Sequence, residues 1–269
     1  MFKKRMLILM LCLTLLAGLW GCQAEEEQPL PQVVIGYNDY RPFTYTDEDK
    51  KPAGIDVELA QEACRRAGYE PVFKQISWHD RDALLAAGEV DCLWSCYSIS
   101  GREEQYDWVG PYMFSRQVVA VLQDNPIRML RDLEGRTVAV KSATMPERIF
   151  VGQTDARIPE VEAVYCLADM EDVVAALRDD YVDACAGFSA TLTELLQNSG
   201  VGYRFLDENL IVSDLGVAFL PGSFEELRAA LVTALNEMHR DGTTARILRS
   251  YGLNSTDALE GINLAKKEN

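Results

Sequence analysis

Strand-like and helix-like segments alternate through the first part of the chain. Short apolar or β-branched runs predict strands at residues 33–36, 72–76 and 90–96. Between these runs, apolar side chains recur at spacings of three and four, which predicts helices over residues 55–68 and 80–87. This strand–helix–strand order, with largely apolar strands, is typical of a doubly wound α/β unit built on a parallel sheet.

The same alternation returns in the middle of the chain. Strands are predicted at residues 137–140, 161–165 and 184–187, and an amphipathic helix at residues 170–177 precedes the last of them. We therefore expect a second α/β unit that follows the first.

The C-terminal third is predicted to add one strand and one long helix. Residues 211–222 are strand-like, and a stripe of leucines and alanines then predicts a helix that opens at Ser223 and is closed by Gly242. Residues 254–269 are polar and show no periodicity, so they stay without an assigned element.

The start of one predicted helix is a candidate anion-binding site. The sequence Thr144-Met145-Pro146-Glu147 is a capping-box pattern with proline in the first turn, so it predicts a helix that begins at Thr144. The N–H groups of a first helical turn lack partners within the helix and attract anions. The sequence therefore predicts an anion site beside Thr144.

The N-terminus has the layout of an export signal. Three basic residues precede an apolar stretch over residues 6–20, and Cys22 follows closely. About 15 apolar residues fall short of the roughly 20 that span a bilayer, so a signal peptide at residues 1–21 is favoured over a permanent transmembrane helix. The segment resembles a bacterial lipoprotein cleavage box, although Trp20 stands where a small residue is usual. That resemblance implies lipid on Cys22 and a membrane tether over residues 22–32.

The net charge of the chain bears on whether it can bind nucleic acid. The chain has 26 Lys and Arg against 42 Asp and Glu, a net charge of −16, and removal of the basic signal would bring it to −19. Such a chain repels phosphate backbones, so a nucleic-acid partner is excluded.

Cysteine and histidine usage argues against disulfides, metals and cofactors. Beyond Cys12 in the signal and Cys22 at the anchor, an odd number of cysteines remains: Cys64, Cys92, Cys96, Cys166 and Cys185. None has Cys-x-x-Cys spacing, and neither histidine has metal-binding neighbours in sequence. We expect small buried thiols; a bridge between Cys92 and Cys96 is the alternative, disfavoured if both lie on one extended strand.

Five blocks of the sequence resemble, in order, those of the bacterial family 3 solute-binding proteins. They are YRPFTYTDEDKKPAGIDVELAQEACRRAGYEP, LLAAGEVDCLWSCYSISGREEQYDWVGPY, DLEGRTVAVKSATMPE, DDYVDACAG and LRAALVTALNEMHRDGTTARILRSYG. The resemblance runs from about Val33 to Gly252. Members of this family are the extracytoplasmic receptors of polar amino-acid ABC importers.

The resemblance implies a type II periplasmic-binding-protein fold. Two lobes, each a mostly parallel sheet flanked by helices, are joined by a two-strand hinge. Lobe 1 would comprise residues 33–119 and 213–254, lobe 2 residues 120–212, and residues 255–269 would form a C-terminal tail. A solute in the cleft stabilises the closed form, which a permease recognises.

The resemblance also implies a ligand site at the end of a lobe 1 strand. Cys96, Tyr97, Ser98 and Arg102 match the positions that present carbonyl groups to a ligand ammonium and hold its α-carboxylate. Arginine suits the binding of an α-carboxylate because its planar guanidinium group can donate two parallel hydrogen bonds to one carboxylate.

The spacing before the arginine departs from the family pattern. Only Gly101 separates Ser100 from Arg102, where the family usually has two residues, so Gly101 is expected to absorb the shorter turn with unusual backbone angles. The alternative is that Arg102 forms a surface ion pair with a neighbouring acid: Glu103, Glu104 or Asp107.

Aromatic residues of lobe 1 match ligand-stacking positions. These are Tyr40, Phe43 and Trp78, and each of them could instead belong to the core or the rim of lobe 1.

Lobe 2 contributes one expected contact and one departure. Thr144 and the N–H groups of its helix are placed to close over the carboxylate. Phe188 stands where the family commonly has an Asp that binds the ligand ammonium. Either the solute lacks a free α-amino group, or Asp39 or Asp169 supplies the charge, while Asp183 serves the fold.

The function implied by the resemblance is that of a receptor, without enzymatic activity, for an amino acid or a related small carboxylated solute. Its partners would be a cognate ABC permease and, through Cys22, the membrane, and we expect a monomer. Two alternatives stay open: an enzyme like the cyclohexadienyl dehydratases of the same fold, or the ligand-sensing subunit of a signalling system. The sequence shows no paired carboxylates at the cleft positions, which favours the receptor.

Overall fold

The computed structural model describes residues 29–262, and residues 31–262 of this range belong to one folded unit. The predicted signal peptide at residues 1–21, the lipidation site Cys22 and the tether up to residue 28 lie outside the described residues, as do residues 263–269. Within residues 29–262, no helix is both long enough and apolar enough to cross a membrane.

Strands and helices alternate along the chain. The strands are β1 (Gln32–Tyr37), β2 (Tyr45–Thr46), β3 (Pro52–Ala53), β4 (Glu70–Gln75), β5 (Cys92–Leu93), β6 (Asp107–Leu122), β7 (Thr137–Lys141), β8 (Ala163–Leu167), β9 (Ala184–Phe188), β10 (Tyr203–Phe205) and β11 (Ile211–Phe219). The α-helices are α1 (Ile55–Ala67), α2 (Arg81–Ala86), α3 (Met145–Gly152), α4 (Met170–Arg178), α5 (Ser189–Ser199), α6 (Glu225–Arg240), α7 (Thr243–Ser250) and α8 (Ser255–Leu259). Short 3₁₀ turns occupy Trp78–Asp80 and Leu130–Leu133.

The main sheet consists of two parallel parts joined by two long antiparallel strands. Its order is β4-β1-β5-β11-β6-β9-β7-β8, with β10 paired to β6. In the first lobe β1 is parallel to both β4 and β5, and in the second lobe β7 is parallel to both β8 and β9. Strand β6 is 16 residues long and pairs antiparallel with β11, β9 and β10. This is the expected two-lobed α/β fold with a two-strand connection.

Apolar helix faces cover the sheet. Helix α1 buries Ile55, Val57, Leu59, Ala60 and other residues of one face, and it packs against α6 and α7. Gly68 ends α1 in the left-handed conformation, with a φ of 80°, as its position after the apolar stripe predicts. Each fully buried Leu or Ile contributes about 1.5–3 kcal/mol to folding, so this helix is held mainly by packing.

Most predicted elements are confirmed, and one predicted strand is wrong. The strand expected at residues 90–96 is reduced to the two residues of β5. Beyond Leu93 the chain turns away, because Cys96 has a positive φ of 41° and its N–H donates to the buried carboxylate of Asp56 instead of to a neighbouring strand. Strands β2, β3, β6 and β10 and helices α5, α7 and α8 were not predicted.

The capping box predicted at Thr144 does not form. Glu147 accepts a hydrogen bond through Oε2 from the N–H of Ala143 at 2.6 Å. The Thr144 hydroxyl does not cap the helix but donates to the carbonyl oxygen of Lys141, also at 2.6 Å. The predicted helix start is therefore right, but Glu147 bonds to the residue before the N-cap and the threonine oxygen accepts no bond from the first turn.

All five cysteines of the described range are free thiols. Four of them are buried, as expected, but Cys166 on β8 is exposed, which corrects the expectation for that residue. Cys92 and Cys96 are not bridged.

Candidate functional site

The candidate site is a cleft at the carboxyl ends of four strands. Asn38 follows β1, residues 95–98 follow β5, Lys141 ends β7 and Phe188 ends β9. Parallel strands bring their carboxyl ends to one edge of a sheet, and ligands of open α/β sheets bind there. The cleft is lined by Asn38, Tyr40, Trp78, Ser95, Cys96, Tyr97, Ser98, Arg102, Gln117, Lys141, Ala143, Thr144, Met145 and Phe188.

The structure brings nearly all sequence-predicted site residues together around this cleft. Of the nine, only Phe43 does not line it: its ring is fully buried and packs against Phe188, with ring centroids 5.2 Å apart. Phe43 thus supports the wall of the cleft from behind. The others line the cleft: Tyr40, Trp78, Cys96, Tyr97, Ser98, Arg102, Thr144 and Phe188.

A buried carboxyl group fixes the loop that follows β5. Asp56, in the first turn of α1, accepts hydrogen bonds from the N–H of Cys96 and, at 3.0 Å, from the hydroxyl of Tyr112. Burial raises the pKa of Asp56 to about 7, although both hydrogen bonds act in the opposite direction. Because Cys96 lines the cleft, Asp56 acts on the site by positioning this loop.

Ser98 offers the cleft an unpartnered hydroxyl. The residue is 3% exposed, and its backbone forms a β-bridge with Leu215 of β11. Its Oγ is buried and has no hydrogen-bond partner among residues 29–262. A buried hydroxyl without a partner costs about 1–3 kcal/mol, which a ligand group that accepts its proton would recover.

Arg102 is a buried cation held against an aromatic ring. It is 6% exposed, its Nη1 donates to the carbonyl oxygen of Ser98 at 3.2 Å, and its Cζ lies 4.8 Å from the centroid of Tyr97. Burial lowers the pKa of Arg102, and the nearby charges of Arg148 and Arg81 act in the same direction. The guanidinium still carries its charge at neutral pH because arginine starts from a very high pKa.

The surface ion pair considered for Arg102 is not what the structure shows. The arginine is directed into the cleft, and Asp107 instead pairs with Arg228 at 3.1 Å. Gly101 has a φ of 73°, so it does absorb the shortened turn as expected.

An aromatic and cationic network surrounds Tyr97. Arg81 donates from Nε to the Tyr97 hydroxyl at 3.1 Å and from Nη1 to the carbonyl oxygen of Trp78 at 2.8 Å. The rings of Trp78 and Tyr97 meet edge to face, with centroids 4.9 Å apart. Tyr97 is therefore fixed between two arginines, and it orients Arg102 through its ring face.

Lys141 is a cleft residue that the sequence did not identify. It ends β7, is 5% exposed, and its Nζ donates to the carbonyl oxygen of Asp39 at 2.9 Å and lies 4.8 Å from the centroid of Tyr40. Burial lowers the pKa of Lys141, and the surrounding thiol and carboxyl groups partly offset this. A lysine that ends an otherwise apolar strand just before the predicted anion site was the signal that could have found it.

The carboxylates proposed to replace the family's Asp lie beside the cleft. Asp39 and Asp169 line a neighbouring pocket that shares Asn38, Trp78, Lys141 and Ala143 with the cleft. Asp39 accepts hydrogen bonds from the Thr46 N–H at 3.1 Å and from Gln75 Nε2 at 3.2 Å. Asp183 accepts from the N–H and hydroxyl of Thr137, both at 2.9 Å, so it serves the fold as predicted.

Comparison with known proteins gives matches over most of the chain. A family model described as bacterial extracellular solute-binding proteins, family 3, matches residues 33–254. The L-cystine-binding protein TcyA of Bacillus subtilis (strain 168) is 28% identical over 215 residues, which cover 79% of this chain and 77% of that protein. The arginine-binding extracellular protein ArtP of the same organism is 28% identical over 258 residues, covering 92% and 98% of the two chains.

Solved structures share the fold. An ancestral arginine-binding protein bound to arginine superimposes with a TM-score of 0.73 at 25% identity, covering 83% of this chain and 99% of that chain. All three of these proteins are described as binding proteins, and none as an enzyme.

Proposed function

The chain belongs to the bacterial extracellular solute-binding proteins, family 3, and from this premise we propose that its cleft captures an amino acid or a related small carboxylated solute for an ABC importer. The relatives described above are named for cystine and arginine, both of which carry a carboxylate. The shared feature of such solutes is a carboxylate that the protein must desolvate and bind.

One observation carries this proposal: Arg102 and Ser98 present a buried cation and an unpartnered hydroxyl to the same cleft. The groups that contact the Arg102 guanidinium, a carbonyl oxygen and an aromatic face, carry no net charge. Burying a charge costs several kcal/mol unless an opposite charge compensates it. A solute carboxylate would accept two parallel bonds from the arginine fork and a third from Ser98 Oγ.

We place Thr144 and the first turn of α3 on the opposite side of this carboxylate. Thr144 lines the cleft from the second lobe, and α3 begins directly after it. Closure of residues 120–212 over residues 33–119 and 213–254 would bring the N–H groups of α3 toward the ligand. Among the described residues, two side-chain hydrogen bonds cross from the second lobe to the first: Lys141 Nζ to the carbonyl oxygen of Asp39, and Arg148 Nη1 to that of Gly101, at 3.2 Å.

A receptor is favoured over an enzyme by the side chains of the cleft. Within the described range, the residues that line the cleft itself include no Asp, Glu or His; Asp39, His79, Glu147 and Asp169 line the pocket that adjoins it. Dehydratase chemistry needs a group that removes a proton and a group that protonates the departing hydroxyl, and carboxyl groups usually serve. We therefore propose that the protein binds its solute unchanged.

We further propose that the protein acts as a monomer outside the cytoplasm, attached to the membrane through lipid on Cys22. The basic and apolar signal and the cysteine at its end support the location and the lipid anchor. Replacing Cys22 by Ser in the full chain should move the protein from the membrane fraction to the soluble fraction. Retention of the variant in the membrane fraction would contradict lipid anchoring.

The test of the ligand proposal is a binding screen by calorimetry and thermal shift with the purified protein, Arg102→Ala, and Arg178→Ala as a control at an exposed arginine paired with Asp179. A solute present at 100 times its Kd should stabilise the native state by about 2.7 kcal/mol. We expect a carboxylated solute to bind the wild type and the control, and Arg102→Ala to lose at least about tenfold in affinity. The proposal would be contradicted if no amino acid or carboxylic acid tested bound to the wild type, or if Arg102→Ala bound the solute with undiminished affinity.

A further inference from the structure

A second buried cation faces the cleft from the second lobe. Lys141 ends β7 and is as deeply buried as Arg102 on the first lobe. The group that its Nζ contacts, the carbonyl oxygen of Asp39, is neutral, and the ion pairs found among residues 29–262 do not include Lys141. A buried ammonium in this setting lacks the full counter-charge that would offset its desolvation.

The carboxylates nearest to Lys141 do not form ion pairs with it. Asp39, Asp169 and Glu171 act on the ammonium electrostatically without forming an ion pair with it. Both carboxylate oxygens of Asp39 already accept hydrogen bonds from Thr46 and Gln75. Asp169 and Glu171 lie at the N-terminus of α4, where the helix dipole favours their charge. Asp169 lines a pocket that adjoins the cleft at Lys141, but it is not within ion-pair distance of the ammonium.

An apolar surface occupies the place from which a carboxylate could bind a ligand ammonium. Phe188 ends β9 in contact with the rings of Tyr40 and Phe43, at centroid distances of 5.6 and 5.2 Å. Oε1 of Gln117, on a cleft side chain, has no partner among the described residues, and neither has the hydroxyl of Ser98. An amide oxygen can accept a hydrogen bond from an N–H or O–H group, but it supplies no negative charge to a desolvated ammonium.

From this arrangement we infer that the solute carries a second anionic group, bound by Lys141, and that the site prefers a small dicarboxylate without requiring an α-ammonium. This inference rests on the proposed function, because it assumes that Arg102 binds the first carboxylate. Two cations on opposite lobes would then each gain a counter-charge only when the solute is present. The same charges make closure over the diacid more favourable than closure over a solute with one carboxylate.

The experiment compares compounds that differ by one charged group. Glutarate has two carboxylates and no ammonium, L-glutamate has two carboxylates and an ammonium, and L-glutamine has one carboxylate and an ammonium. Succinate, L-aspartate and L-asparagine form the same series one carbon shorter. Calorimetric affinities are measured for the wild type, for Lys141→Gln, which keeps a polar side chain of similar length, and for Lys51→Gln, a control at an exposed lysine.

We expect a diacid of one series to bind at least about tenfold more tightly than its singly charged amide. Lys141→Gln should reduce diacid affinity at least about tenfold and leave amide affinity within about twofold, whereas Lys51→Gln should change neither. Lys141→Arg should restore part of the diacid affinity, which separates loss of charge from a damaged fold.

Three outcomes would overturn the inference. Tighter binding of L-glutamine or L-asparagine than of the diacids would do so while leaving the receptor function intact. An equal loss of affinity for all compounds in Lys141→Gln would assign Lys141 to the fold. Absence of binding by all six compounds would reject the dicarboxylate, and the broader screen of amino acids would then decide whether the receptor function also fails.

Discussion

The buried carboxyl group of Asp56 gives the protein a pH dependence whose sign can be derived. Asp56 is fully buried beneath the cleft loop, and burial raises its pKa from 3.8 to about 7. Between pH 4 and pH 7 the folded state keeps a proton that the unfolded chain has already released. The free energy of unfolding therefore falls as pH rises through this range, and the loss is complete above the folded-state pKa.

The size of the effect follows from the difference between the two pKa values. A difference of about three pKa units corresponds to about 4 kcal/mol, since one unit is 1.36 kcal/mol. Replacement by Asn removes the titration while keeping the shape. The Asn Oδ1 can accept from the Cys96 N–H, and its Nδ2 can donate to the Tyr112 hydroxyl, which then acts as an acceptor.

The measurement is urea unfolding of the wild type and Asp56→Asn at intervals from pH 4 to pH 8. Because both proteins share every other ionisable group, the difference between their unfolding free energies isolates Asp56. We expect that difference to shift by about 4 kcal/mol in favour of the Asn variant between the two ends. Asp49→Asn, at an exposed site, should show no such shift. Parallel pH profiles of the wild type and Asp56→Asn would refute the reasoning.

Three further substitutions test the geometry of the loop. Arg102→Lys keeps the charge but loses the planar fork, so calorimetry should show at least about tenfold weaker solute binding; unchanged affinity would mean that charge alone suffices. Ser98→Ala should weaken solute binding about fivefold and raise the urea-unfolding free energy of the ligand-free protein by about 1 kcal/mol or more, whereas a clear loss of stability would assign the hydroxyl to the fold. Gly101→Ala places a methyl group 2.9 Å from the Arg148 guanidinium at a φ of 73°, and should cost about 1 kcal/mol in urea unfolding. In an Arg148→Ala background, Gly101→Ala no longer meets the arginine side chain, so only the backbone strain at residue 101 remains. An unchanged unfolding free energy in both backgrounds would contradict that strain.

The elements that the sequence predicted well are those whose apolar pattern has one clear period. Helices α1 and α6 each bury one continuous stripe, and their bounds lie within two residues of the predictions. Strand β6 was missed because it contains Gly110 and Pro111, which argue against a strand. The structure accommodates them opposite an irregularity of β11 between Leu215 and Val217, a long-range pairing that no local pattern reports.

The site was predictable to the extent that neighbouring residues carry it. Residues 96–98 and Arg102 lie on one loop, so their resemblance to a family motif places them together. Lys141 was missed because a terminal lysine on a strand can point to solvent or to a ligand, and only the packing of the second lobe decides this. Phe188 was recognised as a departure, yet its contacts with Tyr40 and Phe43 become visible only when the lobes are placed.

The acidity of the whole chain and the cationic cleft are compatible because they act over different distances. A net charge of −16 repels a polyanion, whose many phosphates meet the whole surface at once. Exposed charges are screened beyond about 8 Å at physiological ionic strength, so a small anion experiences the surface only weakly once it reaches the cleft. Inside the cleft, Arg102 and Lys141 are shielded from salt and lie on opposite lobes. If both proposals hold, these two buried cations determine the affinity for a small anionic solute, and the surface charge influences mainly how often the solute arrives.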